Sequence, residues 1–416
     1  MFGRRFFAFF ERKTTMRKVL TWIIILETMI GCTGLKEIIS HETEEDIWTG
    51  PGANIEGNPS RNVCYMTGID YPQGYDWTDT SKEEENVRCS LMAFADGVPM
   101  LKIPIGEGYE ISADPDMHKV MDGHLFTIFC TDGYTSIRKD GKAFIRYEGE
   151  EILRAMTADG ENIHTLSVSR DGKGFTYRKN GELILERRTG YAFERLHIDS
   201  DRMCFAFCQP VATTEGASKR YYIVRDGRSS IVKFDDDVTV VWDIMSHSGK
   251  TCALVSSGPW NTTELLIGDD RTAVGLPYGS KMLSCSLFSY GSEVGVQGLY
   301  SDEEGNLSSG IWVGGHEYML FETGQPIAGL CSSEKDICCV LNPDSAGHTG
   351  TIFKSGKTWD MPEGYHFRGN NPIVTSNGEL YIGLSSTTGS NPVLWKNGNV
   401  TEIRLNGPVC NLALGI

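Results

Sequence analysis

The sequence predicts an all-β fold: a single β-propeller of eight four-stranded blades, with seven blades as the alternative count. Three observations predict it. A five-residue stretch recurs, with its clearest copy at Leu394-Trp395-Lys396-Asn397-Gly398. An apolar residue stands three places before a two-residue turn, and a basic residue often stands just before that turn. Asn-Gly and Asp-Gly tolerate the positive φ of tight hairpins, so each copy reads as strand–turn–strand. Successive turns lie 40 to 46 residues apart, the period of a repeat architecture built from small sheets. Finally, the chain begins its repeats without a first strand and ends on a strand with no partner, so the two ends complete one another.

The eight turns are Asp96-Gly97, Asp140-Gly141, Asn180-Gly181, Asp226-Gly227, Asp269-Asp270, Gly314-Gly315, Ser355-Gly356 and Asn397-Gly398. A second turn series runs at the same period through Asp122-Gly123, Asp159-Gly160, Ser248-Gly249, Tyr290-Gly291 and Asn377-Gly378. With strands lettered a to d within a blade, the units open at strand b near residues 62, 124, 162, 202, 250, 292, 336 and 379. The last unit has strand b at Glu379–Leu384, c at Val393–Lys396 and d at Val400–Leu405, followed by a lone strand a at Val409–Leu414. The first unit starts at its strand b, Val63–Thr67. Docking the last strand beside it removes two open edges that would otherwise template aggregation. The first unit is the least regular, because its b–c connection runs from Asp70 to Asn86.

Ahead of the repeats the chain divides in two. Residues 1–31 read as a signal peptide starting at Met16, with Arg17-Lys18 as a basic n-region and Val19 to Leu26 as a short apolar core. That core is too short to span a bilayer as a stable helix. Residues 32–61 lack apolar periodicity and carry Glu37, Glu42, Glu44, Glu45 and Asp46, the composition of a flexible acidic tether. The propeller is expected over 62–416.

The stretch ending in Gly31-Cys32 resembles a bacterial lipoprotein signal, which implies that Cys32 becomes a lipid-bearing N-terminus. Lys36-Glu37 behind it resembles the acidic export signal of surface lipoproteins in Bacteroidota. The repeats over 62–416, best at Tyr177–Gly181 and Leu394–Gly398, resemble Bacteroidota propeller lipoproteins with a W-K-N-G-like hairpin. The resemblance implies a lipid-anchored place at the bacterial outer membrane or cell surface, and it implies little chemistry.

Composition narrows the partners. The formal charge is −16. Residues 1–31 carry six basic and two acidic side chains, so the remainder stands at about −20. Such a body repels nucleic acid and anionic lipid, leaving the lipid anchor as the expected membrane contact. The twelve cysteines read as buried thiols. Cys64, Cys204, Cys252 and Cys338 share one strand-b position with His164, Phe126, Val294 and Tyr381, which marks a packing site.

The sequence offers no catalytic motif, metal set or cofactor loop. Ser248-Gly249-Lys250-Thr251 and Ser355-Gly356-Lys357-Thr358 end like phosphate loops but lie at repeat turns without the required first glycine. Asp235-Asp236-Asp237 lacks the alternation of a calcium loop. Ser169-Arg170-Asp171 and Gly356-Lys357-Thr358-Trp359 resemble the two halves of a sialidase Asp-box, each incomplete.

Function is therefore expected on the long, varied b–c and d–a connections, which share one face of a propeller. Tyr71, Tyr75, Asp76, Trp77, Trp260 and Tyr300 are the candidate ligand-binding residues from the b–c set. The d–a set holds Tyr109, Tyr191, Tyr278, Tyr365 and His366. Aromatic rings beside carboxylates suit a glycan or protein ligand. A glycan-active hydrolase or lyase on the same face is the alternative; hydrolysis would ask for a pair of carboxylates at fixed separation.

Overall fold

The computed structural model describes residues 48–49, 64–77, 89–105, 118–121, 124–130, 134–139, 142–148, 151–159, 162–169, 173–188, 192–199, 202–213, 216–258, 261–333, 335–344, 347–368, 373–375 and 377–414. Backbone contacts divide the chain into Met1–Asp46 and Ile47–Ile416. The signal segment, Cys32 and most of the acidic stretch lie outside the described residues.

Ile47–Ile416 is an eight-bladed β-propeller, and its sheets are antiparallel throughout. In the order a, b, c, d, blade 1 is Val409–Leu414, Cys64–Asp70, Cys89–Ala95 and Val98–Ile105. Blade 2 is His118–Met121, His124–Cys130, Tyr134–Lys139 and Lys142–Glu148. Blade 3 is Glu151–Asp159, Asn162–Ser169, Phe175–Lys179 and Glu182–Arg187. Blade 4 is Ala192–Asp199, Arg202–Thr213, Gly216–Arg225 and Arg228–Val232. Blade 5 is Val238–His247, Lys250–Ser257, Thr262–Ile267 and Asp270–Ala273. Blade 6 is Lys281–Tyr290, Glu293–Ser301, Leu307–Val313 and His316–Phe321. Blade 7 is Ile327–Ser332, Ile337–Leu341, Thr351–Lys354 and Lys357–Asp360. Blade 8 splits strand a into Tyr365–His366 and Ile373–Val374, then continues through Leu380–Ser386, Val393–Lys396 and Asn399–Glu402. Trp48–Thr49 adds a fifth strand to the outer edge of blade 1, pairing with Leu101 and Lys102. Two residues of the stretch read as a tether are thus in the sheet.

The ring closes as the sequence predicts. Val409–Leu414 pairs with Cys64–Asp70, with Cys64 opposite Leu414 and Gly68 opposite Val409. Two glycines let the chains approach at this seam. A Cβ on Gly68 would lie 2.3 Å from a Leu405 methyl, and one on Gly407 would lie 2.0 Å from the Ile69 carbonyl oxygen. Asp70 accepts from the Asn406 backbone N–H at 3.1 Å and pairs with Lys102 at 3.0 Å.

The recurrent stretch works because each of its residues has a separate task. In blade 8, Trp395 is fully buried between blades 7 and 8. Lys396 lies over the Tyr381 ring of its own strand b at 4.7 Å and pairs with Glu379 at 3.1 Å. At the same position Arg225 of blade 4 reaches forward to Ser246 (2.8 Å) and Thr251 (3.0 Å) of blade 5. Lys354 of blade 7 likewise donates to the Gly378 carbonyl of blade 8.

The first turn residue clamps strand b. Asn397 N–H donates to the Leu380 carbonyl, and its side-chain oxygen accepts from Leu380 N–H at 2.9 Å. Asn180 on Ile163, Asp96 on Cys64 and Ser355 on Ile337 repeat both bonds. Asn397, Asn180, Asp96 and Ser355 all take positive φ, which Asn and Asp tolerate better than most residues. In several blades the second turn glycine lies against the preceding blade. Cβ atoms at Gly97, Gly181, Gly227 and Gly315 would approach Ile403, Ile145, Ile184 and Thr272 within 2.7–3.0 Å. One short motif therefore joins three blades.

The core lies between blades, not within one. Seven clusters fill the junctions 8/1, 2/3, 3/4, 4/5, 5/6, 6/7 and 7/8 among the described residues. Strand alternation sends neighbours to opposite junctions. Cys338 packs into 7/8 and Cys339 into 6/7. Cys64, Cys285, Cys331, Cys338 and Cys339 are free thiols. Burial pushes Cys64, Cys285 and Cys339 well above the usual thiol range, which keeps them unreactive.

Three register details differ from the sequence reading. The fifth c–d turn is Gly268-Asp269, since Ile267 pairs with Asp270. One a–b turn is Gly291-Ser292, since Tyr290 pairs with Glu293. In both, glycine takes the positive φ at no steric cost. The strand-b packing position is held by Tyr65 and Gly295 in blades 1 and 6, not by Cys64 and Val294, as their pairing with Ala95 and Val313 shows. At Gly295 the Phe288 ring occupies the side-chain space, 2.1 Å from where a Cβ would stand.

Candidate functional site

The b–c and d–a connections emerge from the end of each blade opposite the clamped turns. Many of their polar groups build the loops themselves. Asp302 accepts from Asn306 backbone and side chain at 2.8 Å, and these bonds hold its carboxyl below the usual range. Asp344 accepts from His348 N–H at 3.0 Å and from its ring at 2.8 Å. Arg271 gathers Glu264 and Asp237 at 2.6 and 3.0 Å, with Asp235 at 3.4 Å. A general acid needs a carboxyl held protonated, and these carboxylates instead accept hydrogen bonds or face a cation.

One cluster crosses the seam of blades 8 and 1. Its first half is the start of the long b–c connection of blade 1. Asn406, on the d–a connection of blade 8, donates to the carbonyls of Tyr71 (3.2 Å) and Pro72 (2.7 Å). Tyr71 N–H donates back to the Asn406 carbonyl at 2.8 Å. Pro72 to Tyr75 forms a turn through the Tyr75 N–H. The turn stacks the rings of Tyr71 and Tyr75 with centroids 5.0 Å apart and planes inclined 23°. Asp76 is exposed and Trp77 is half-buried.

The second half comes from Tyr365 to Arg368, where blade 8 begins. Phe367 is buried in the 7/8 core. Asn342 holds its backbone from both sides, accepting from Phe367 N–H at 2.6 Å and donating to its carbonyl at 2.8 Å. Tyr365 donates to the Asn391 carbonyl at 3.2 Å. His366 and Arg368 flank this anchored residue. Arg368 Nε donates to His366 Nε2 at 2.7 Å. The Arg368 guanidinium lies 5.2 Å from the Trp77 ring centroid, within the range of a cation–π contact. Burial, and then the Arg368 charge, push the His366 imidazole down to about 4.

The structure thus brings Tyr71 and Tyr75 together and joins Trp77 to Arg368 and His366. The sequence reading named His366 on the d–a set but missed Arg368. Its signal was slight: one arginine beside a loop histidine, with the stacking partner on the other end of the chain. Tyr300 does not join the site. It is the penultimate residue of strand b in blade 6, 5% exposed, and it packs edge-on against Trp312 with centroids 6.0 Å apart. The strand simply runs further than its sequence pattern suggests. Trp260 and Cys32 lie outside the described residues. Tyr278, on the d–a connection between blades 5 and 6, is 98% exposed. Among the described residues no group of three or more His, Cys, Asp or Glu is placed to hold a metal, and no helix is long and apolar enough to cross a membrane.

No family model matches the chain, and no curated protein matches it. Solved structures do. The Pyrococcus horikoshii acylaminoacyl peptidase is 10% identical with a TM-score of 0.41, over 78% of this chain and 56% of that one. This chain therefore spans little more than half of that enzyme's length. The β-propeller domain of the trilobed protease from Pyrococcus furiosus is 10% identical with a TM-score of 0.41, over 73% of this chain and 96% of that one. The polysaccharide lyase Uly1 is 11% identical with a TM-score of 0.40, over 84% of this chain and 98% of that one. The strand pairing itself establishes the propeller, and these likenesses carry nothing about chemistry.

Proposed function

We propose that this protein is a lipid-anchored extracytoplasmic binding module, with a glycan or protein ligand on the b–c and d–a face at the seam of blades 8 and 1. One observation carries the reading. Trp77 and Arg368 come from different blades, are held by loops with their own anchoring bonds, and meet on that face. Aromatic and arginine side chains are enriched where binding energy concentrates. A hydrolase or lyase on the same face is not favoured by Asp302 and Asp344, which are engaged within their own loops, or by Glu264, Asp235 and Asp237, which pair with Arg271.

Two experiments test the two parts. A glycan and peptide array probed with the purified full chain should show binding that Trp77→Ala weakens by about 2 kcal/mol, roughly thirtyfold. Wild-type binding that survives Trp77→Ala unchanged removes this seam from the site. For the anchor, Cys32 follows an apolar run and precedes an acidic stretch. Cys32→Ala should move the protein from the membrane fraction to the soluble fraction, and continued membrane association would sink the lipoprotein reading.

A further inference from the structure

Blade 7 sets two cysteines opposite one another. Cys331 on strand a pairs directly with Cys338 on strand b. Directly opposed residues of an antiparallel pair project from the same side of the sheet, and both side chains pack at the 7/8 junction. Cys331 is half-buried and Cys338 is fully buried. The two thiols share a hydrogen bond, and that bond, followed by burial, raises the Cys331 thiol well above the usual range. Among the described strands no other cysteine has a cysteine partner. Cys204, Cys252 and Cys285 face His197, Met245 and Gly298 across their a–b pairs.

The backbone brings the pair near bonding distance. The Ser333 N–H donates to the Asp336 carbonyl and closes the a–b turn, so by alternation Cys331 and Cys338 form a hydrogen-bonded pair. Such pairs hold Cα atoms about 5.5 Å apart, inside the range that disulfides span. Their Cβ atoms stand about 1 Å further apart than a relaxed bridge needs. Strand a can supply that shift, because it is the inner edge of its sheet and pairs only with strand b.

We propose that Cys331 and Cys338 are a redox pair that closes to a disulfide in an oxidising compartment. This rests on the extracytoplasmic reading above, since a reducing cytosol would keep both thiols. The oxidant is another disulfide, carried by a small molecule or an oxidoreductase. The Cys331 thiolate attacks one of its sulfurs, and the other sulfur leaves and takes a proton. The Cys338 thiolate then attacks Cys331 Sγ and expels the first sulfur, which is protonated in turn. The two cysteines lose two electrons and two protons, and the oxidant gains them as two thiols. A thiol held protonated reacts slowly, so closure is fastest while the inner hairpin forms or transiently opens.

The test has two arms. In the first, the reduced full chain is incubated with oxidised and reduced glutathione across a urea series spanning its unfolding transition. It is then alkylated in full denaturant and digested. A peptide linking Cys331 to Cys338 should form, fastest near the transition, and dithiothreitol should reopen it. Cys331→Ser and Cys338→Ser should each abolish the link. Cys339→Ser should leave it, because Cys339 packs into the 6/7 core. A link from Cys331 to Cys339, or alkylation of both Cys331 and Cys338 at every urea concentration, overturns the pair wherever the protein resides. In the second arm the protein is alkylated inside the cells that make it, before lysis. The linked peptide there supports closure in place. Free thiols there, beside a link formed in glutathione, overturn closure in the cell and count against the extracytoplasmic reading.

Discussion

The two faces of this propeller are built on opposite plans. On the face of the c–d turns one solution is repeated. Asn397, Asn180, Asp96 and Ser355 each hold their own strand b through two bonds, and after Asn397, Asn180 and Asp96 the following glycine lies against the blade before. On the other face the described loops differ from one another. Asp302 folds one connection onto Asn306, Asp344 folds another onto His348, and Trp77 reaches across a seam to Arg368. The difference teaches where each kind of information sits. Interactions that recur from blade to blade specify the ring, and interactions that occur once are free to specify a ligand.

The comparison can be broken most severely at the seam, where both plans meet. Truncation after Gly407 removes Val409–Leu414, leaving strand b of blade 1 without its inner neighbour and exposing the 8/1 core around Val409 and Leu412. The truncated chain should aggregate or lose cooperative unfolding, as seen by size-exclusion chromatography and urea titration. A monomeric product with an unchanged midpoint would show that this strand does not close the ring.

Next in size is the buried arm of the repeat. Trp395 is 2% exposed and packs edge-on against Trp359 at 5.5 Å. Trp395→Ala should cost about 3–5 kcal/mol of unfolding free energy. The turn itself should cost less, and two substitutions separate its components. Asn397→Gly keeps the positive φ and loses the bond from Leu380 N–H, for about 1 kcal/mol. Asn397→Ala loses both the bond and the tolerance of positive φ, for about 2–3 kcal/mol. Equal losses would mean that the side-chain clamp, not the backbone conformation, is what the motif conserves from blade to blade.

A pH titration sharpens the loop face. His366 in the folded chain holds its proton less tightly than in the unfolded chain, with the folded value about 4 against an ordinary 6.5. The unfolded chain therefore binds more protons between those values, and stability falls as pH drops through that window. The loss should be complete below about 4 and on the order of 1–2 kcal/mol, since solvent screens the partly exposed ring. His366→Gln should flatten that part of the stability profile. An identical profile in the variant would mean that His366 is not the titrating group.

The repeated face was legible from the residues because its chemistry is local. A turn, its strand and its core residue lie within five positions of one another, so blade count, unit boundaries and the closing strand all follow from periodicity. Errors arose where spacing permits two answers. Gly268-Asp269-Asp270 allows two turns, and the glycine takes the positive φ. Cys64 seemed to match Cys338 because the long blade 1 loop hides the register, which the clamp from Asp96 fixes. The loop face was legible only in part. Tyr71, Tyr75 and Trp77 were visible as rings in a long connection, but Tyr300 belongs to strand b and not to the connection after it. The contact of Trp77 with Arg368 joins the two ends of the chain, and no local pattern encodes it.

The most direct test of this division is the urea unfolding free energy of Trp77→Ala, measured beside that of Trp395→Ala. Both remove an indole. If the loop face carries a ligand and not the fold, Trp77→Ala loses only its contact with Arg368 and some local packing, under about 1 kcal/mol, against about 3–5 kcal/mol for Trp395→Ala. Equal losses in the two variants would make Trp77 a structural lid on the seam and contradict the account.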